Sequence, residues 1–115
     1  MTAEELSSVI IKGMEEKKAS NIVLMDLRNI NQSMTDFFVI CSGSSNTQVD
    51  AISQSIEEEV IKAHKERPWR SEGKSNGQWV LMDYVNVVVH IFLEDTRSFY
   101  RLEDLWGDAK VTAIN

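Results

Sequence analysis

The strongest nucleophile in this sequence is one thiol, and the side chains best suited to act as general bases near neutral pH are two imidazoles. Cys41 could attack with His90 as its base, since both fall in strand-like segments that a sheet can bring together. Their surroundings argue against it. Cys41 closes the apolar run Phe37-Phe38-Val39-Ile40, where a thiol packs as a small hydrophobe. His90 lies within Val87-Val88-Val89-His90-Ile91-Phe92, the setting of a hydrogen-bonded core or interface histidine. His64 is the other imidazole and there is no HExxH, so neither a triad nor a dedicated metal site is expected. Asp26, Asp36 and Asp83 fall at strand ends, where paired carboxylates hold Mg²⁺, but they form no Asp-x-Asp pair. Turn or cap duties account for each of them. Gly43-Ser44-Ser45-Asn46 stands where a strand hands over to a helix, a place whose free N–H groups attract anions. It carries neither GxGxxG nor GxxxxGK(S/T) and has no neighbouring lysine, so it reads as an ordinary helix cap. No catalytic residue, cofactor or metal ligand is expected.

The aromatic residues suggest recognition instead. Strand alternation puts Trp79, Leu81 and Asp83 on one face and Val80, Met82 and Tyr84 on the other. If helices cover only one face, the other presents a tryptophan-centred apolar patch with a polar rim, the usual make-up of an interface hot spot. The alternative, with Trp79 packed beneath the last helix, stays open at this point.

These residues must be positioned by a small set of elements. Thr2 to Lys18 predicts a helix, opened by the capping box Thr2-x-x-Glu5 and striped by Leu6, Val9, Ile10, Gly13 and Met14. Ile22 to Met25 reads as a central strand buried on both faces, and Phe37 to Cys41 as a second strand. A second helix opens at Ser45-x-x-Gln48, carries Val49, Ile52, Ile56, Val60 and Ala63, and ends before Pro68. Residues 69–77 read as a polar loop. Trp79 to Met82 and Val87 to Leu93 form a hairpin across Asp83 to Asn86. From Asp95 the spacing of Phe99, Leu102, Leu105 and Trp106 predicts a last helix, and Val111 to Ile114 could add an edge strand. The order α-β-β-α-β-β-α implies an α/β (α+β mixed) domain with a mixed four- to five-stranded sheet packed with helices. The second helix provides a right-handed crossover between parallel neighbours, the second and third strands.

Composition bounds the rest. At 115 residues the chain is expected to be one domain, residues 1–115, burying about two thirds of its unfolded surface. Apolar residues make up 43% and charged residues 26%, which argues against disorder. Eighteen acidic against twelve basic residues leave a net charge of −6, a poor footprint for phosphates, so no sequence-specific nucleic acid partner is expected. A basic protein partner fits the charge better. A single cysteine excludes an intramolecular disulfide, and no apolar stretch is long enough to span a membrane. The acidic N-terminus is unlike a signal peptide, so a cytoplasmic protein is expected.

Beyond these physical readings, three blocks resemble one family. Thr35-Asp36-Phe37-Phe38-Val39-Ile40-Cys41-Ser42-Gly43-Ser44-Ser45 with Gln48-Val49-x-Ala51-Ile52 is similar to the central motif of the ribosomal silencing factors, also called Iojap-like proteins. Glu72-Gly73, Trp79-Val80-Leu81-Met82-Asp83-Tyr84 and Val87-Val88-Val89-His90-Ile91-Phe92 resemble its second block. Arg97-x-Phe99-Tyr100-x-Leu102-Glu103-x-Leu105-Trp106-x-Asp108-Ala109 resembles its third, and Asp26-Leu27-Arg28 the end of its first strand. The resemblance implies a non-enzymatic, nucleotidyltransferase-like fold lacking that fold's catalytic carboxylates. It implies binding to the large ribosomal subunit through its protein L-fourteen, obstruction of small-subunit docking, and repression of translation under nutrient limitation. The implied binding surface centres on Trp79, Leu81 and Asp83 and extends to Tyr84, His90, Arg97 and Tyr100. Two rival readings stay open, a nucleotidyltransferase-like enzyme using the Gly43-Ser44-Ser45 turn and a homodimer joined through the Trp79 patch. One departure from the pattern is Val85-Asn86, where the family has a Gly-Asp-like turn; valine resists positive φ, so a longer or shifted turn is expected. Trp69 maps to no position of the pattern.

Overall fold

The computed structural model describes residues 2–30, 34–97 and 109–114. Helix α1 spans Ala3–Glu16 behind the expected Thr2 cap: Thr2 Oγ1 accepts from Glu5 N at 3.1 Å, while the Glu5 carboxylate accepts from the Thr2 hydroxyl in place of the backbone N–H of a full capping box. Helix α2 spans Asn46–His64 behind the Ser45 cap, whose hydroxyl accepts from Gln48 N at 3.1 Å. The Gln48 side chain does not complete the box on Ser45. Its Oε1 takes the N–H and hydroxyl of Ser44 at 2.6 and 2.9 Å, and its Nε2 donates to the Lys17 and Lys18 carbonyls. One amide thus ties the start of α2 to the end of α1. The two helices also meet where Gly13 lies so close to the Ile56 backbone that a Cβ would stand 2.9 Å from Ile56 Cα. Ser55 donates to the Gly13 carbonyl at 2.8 Å across the same contact.

The strands are β1 (Ser20–Asp26), β2 (Phe37–Gly43), β3 (Arg70–Glu72), β4 (Trp79–Asp83), β5 (Val87–Leu93) and β6 (Lys110–Ala113), with α3 (Glu94–Arg97) after β5. Among the described residues they form one six-stranded mixed sheet ordered β3-β4-β5-β2-β1-β6, against the expected four to five strands. The extra strand is β3, which pairs with β4 inside what read as a polar loop. Its three residues are all exposed, so no apolar alternation marks it. The expected edge strand at residues 111–114 is present as β6, antiparallel to β1. β1 accordingly lies one place in from the edge and is only half buried. The expected helix beginning at Asp95 falls largely outside the described residues.

The β4–β5 hairpin is antiparallel as expected, but the parallel neighbour of β2 is β5 and not β4. The crossover through α2 therefore skips two strand positions, so that the apolar strands β2 and β5 sit at the centre. The hairpin keeps its two-residue turn. Val85 adopts φ 76°, with Tyr84 N donating to Val87 O and Asn86 N to Tyr84 O. Asp83 Oδ1 braces this strained turn by accepting from Val85 N at 2.8 Å.

Alternation splits the sheet into two faces. On one, Phe37, Val39, Cys41, Val80, Met82, Val89 and Ile91 pack with the stripes of α1 and α2 in the main core. On the opposite face a smaller cluster gathers Met25, Leu27, Ile40 and Phe92, with Phe38 and Trp79 packed against it.

Candidate functional site

The face away from α1 and α2 carries a groove of about 710 Å³ across β4, β5 and β2. Strand period alone selects its floor, because Leu81, Val88, His90 and Phe38 are the alternate residues that point away from the helices. Its rim comes from loops. Met34, Trp69 and Val85 are 96%, 72% and 56% exposed, an uncommon concentration of bared large apolar side chains at one place. Asp83 and Arg70 supply the polar edge, their side chains 3.9 Å apart. Trp69 is placed by its own N–H, which donates to Asp83 O at 2.7 Å, and the Arg70 guanidinium lies over its ring.

Trp79 stands beside this floor, on the same face of the sheet. It stacks on Phe92 at 5.0 Å, and its Nε1–H donates to His90 Nδ1 at 3.1 Å. Burial pushes the His90 imidazole down to about 4, so the ring is neutral at neutral pH. A neutral ring that accepts at Nδ1 carries its proton on Nε2. That Nε2–H is buried and has no hydrogen-bond partner among the described residues.

The structure brings Leu81, Asp83 and His90 together in the groove, with Trp79 next to them on the same face. Tyr84 lies apart. It points to the helix side and is 6% exposed in the main core, and burial pushes its phenol up. Its neighbours on β4 already implied this, since Val80 and Met82 share its parity. Arg97 also lies apart from the groove, donating to Asn21 O at 2.6 Å and to Ser42 Oγ at 2.9 Å near the start of β1 and the end of β2. Tyr100 falls outside the described residues. Sequence reasoning missed Phe38 and Val88 on the floor, which strand parity could have marked, and the rim residues Trp69, Met34 and Val85. The rim residues lie on loops with no period, and only their apolar character outside any stripe marks them.

The reactive candidates do not assemble. Cys41 faces the helices and His90 faces away, so the sheet itself separates them, and burial pushes the Cys41 thiol up to about 12. Asp26 is held by Arg28 at 2.7 and 3.0 Å, which lowers its carboxyl pKa, and Asp83 is committed to its turn. Among the described residues no cluster of three or more His, Cys, Asp or Glu could hold a metal ion. The turn before α2 is filled by the Gln48 amide, the ordinary cap that its sequence implied. No helix among the described residues is long and apolar enough to cross a membrane.

Comparison with known proteins bears on this site. A curated relative from Halalkalibacterium halodurans, named ribosomal silencing factor RsfS, is 38% identical over 99% of this chain and 96% of its own length. A crystal structure of a Chromobacterium violaceum protein superposes with a TM-score of 0.87 at 32% identity, covering 100% of this chain and 94% of that one. A more distant relative from Mus musculus, named mitochondrial assembly of ribosomal large subunit protein 1, is 36% identical over 63% of this chain and 32% of its own length. The family model described as ribosomal silencing factor during starvation matches residues 1–115. With the whole chain matched in sequence and in fold, this protein belongs to the ribosomal silencing factor family.

Proposed function

We propose that this chain acts as one non-enzymatic domain in the cytoplasm, docking on the large ribosomal subunit through the groove and obstructing approach of the small subunit. The observation that carries this reading is the groove itself, an apolar floor of Phe38, Leu81 and Val88 with the exposed rim Met34, Trp69 and Val85. Such a surface suits a protein partner, and the net charge of −6 favours a basic one. The family resemblance supports the large-subunit protein L-fourteen as that partner. The family's description names silencing during starvation, and the mouse relative's name refers to the large subunit. Both agree with a regulatory factor that lowers translation when nutrients are scarce.

The mechanism is occlusion. A bound factor holds a surface that the small subunit must meet, so its effect follows mass action and depends on factor concentration relative to Kd. No group transfer is needed. The nucleotidyltransferase-like reading of the fold adds no reaction, because the Ser44 N–H that would meet a phosphate already donates to Gln48.

Sucrose-gradient sedimentation with separated ribosomal subunits tests the proposal. The protein is expected to co-sediment with large subunits and to reduce formation of joined ribosomes. Co-sedimentation with neither subunit at micromolar concentration would refute it. Light scattering of the protein alone tests the rival occupant, since a dimer that Leu81→Ala dissolves would assign the groove to self-association.

A further inference from the structure

We propose that His90 reads a main-chain carbonyl oxygen of the protein segment that occupies the groove, acting as a hydrogen-bond donor set in an otherwise apolar floor. The inference rests on the docking reading above and names what the site recognises. Three observations carry it. The Trp79 indole N–H donates to His90 Nδ1 at 3.1 Å, which leaves the ring proton on Nε2. That Nε2–H is buried without a partner among the described residues, although a buried donor is rarely left unmade. The ring is also held in place, with Phe38 edge-on at 4.7 Å and Phe92 nearly parallel at 6.3 Å. The donor is therefore oriented before any partner arrives.

A pre-set donor in an apolar floor selects against an occupant that brings no acceptor, because the N–H then stays buried and unpaired in the complex as well. The acidic chain favours a basic segment, and a basic segment has few carboxylates to offer. The acceptor that any such segment carries is its own backbone carbonyl. An extended stretch lying along β4 and β5 would bring one to the ring edge, in line with the Nε2–H.

Binding to isolated bacterial large ribosomal subunits, titrated by anisotropy of labelled protein, tests this. His90→Phe keeps a ring and removes the donor, and is expected to weaken binding about tenfold, or about 1.4 kcal/mol. His90→Gln keeps both a donor and an acceptor and should bind within about threefold of the unmodified protein. A purely structural histidine would not be rescued by glutamine. If His90→Phe binds normally while Leu81→Ala does not, the acceptor-reading proposal fails and the docking reading stands. Normal binding by both variants defeats the docking reading as well. Equal loss in the Phe and Gln variants, each shown by urea unfolding to be folded, assigns His90 to ring packing and overturns the proposal. Ring ¹⁵N shifts of the unmodified protein give a check that needs no variant, for a ring protonated at Nδ1 at neutral pH would also overturn it.

Discussion

The two faces of the sheet are built from the same strands, yet they differ in what they contain. On the helix side β1, β2, β4 and β5 contribute mostly aliphatic or small side chains at or near 0% exposure, sealed by α1 and α2 around the Gly13–Ile56 contact. On the groove side the same strands present Trp79, His90, Phe38 and Leu81, less completely buried and joined by a hydrogen bond and ring contacts. Neighbouring positions show the contrast most directly, with Met82 beside Leu81 on β4 and Ile91 beside His90 on β5. The difference teaches that one pleat can divide labour, one parity sealed for stability and the other left open for the proposed docking. The groove side carries the local conflicts, namely the Val85 backbone and the His90 N–H that has no partner among the described residues.

Breaking that division should be possible one residue at a time. Met82→Ala removes a side chain at 0% exposure and should lower unfolding free energy by about 2–5 kcal/mol, while the fraction still folded binds large subunits normally. Urea unfolding with a parallel sedimentation assay measures both. Impaired binding by that folded fraction would show that the faces are not separable. Trp79→Ala sits between the classes, because the ring is half buried against Phe92. We expect about 2–4 kcal/mol of lost affinity with a smaller loss of stability. A stability loss larger than the binding loss would move Trp79 to the structural side.

Acid should act chiefly through the groove side. His90 titrates at about 6.5 when unfolded and about 4 when folded, so the unfolded state binds more protons between these values. Its contribution is thus complete above pH 6.5 and is lost as pH falls towards 4, by up to about 3 kcal/mol. His90→Phe should flatten this part of the stability profile, and an unchanged slope in that variant would contradict the buried neutral ring. The smallest effect concerns the turn. Val85→Gly relieves φ 76° and should raise stability by about 0.5–1 kcal/mol, while removing an apolar rim group should weaken subunit binding. A gain in both would mean the rim does not take part in docking.

Much of the fold was legible because its signals are local. The Thr2 and Ser45 caps, the apolar stripes of α1 and α2 and the β4–β5 hairpin depend on residues within a few positions of one another. The parity of Trp79, Leu81 and Asp83 was readable for the same reason, since successive strand residues must point to opposite faces. Long-range pairing was not readable. β3 and β4 give no sequence sign that β3 pairs outward while β5, and not β4, lies beside β2. Nor does spacing reveal that Trp69 and Met34, on loops far apart in the chain, rim the same groove as Val85. The turn at Val85 was expected to be longer or shifted in register, but the pairing of β4 with β5 and the Asp83 brace hold it at two residues. The sequence by itself determined the caps, the stripes and the side to which each strand residue points, because these follow from backbone periods of 3.6 and 2. The tertiary structure alone decided which strands are neighbours and which loops share a rim, because those depend on the burial of residues that are distant in the chain.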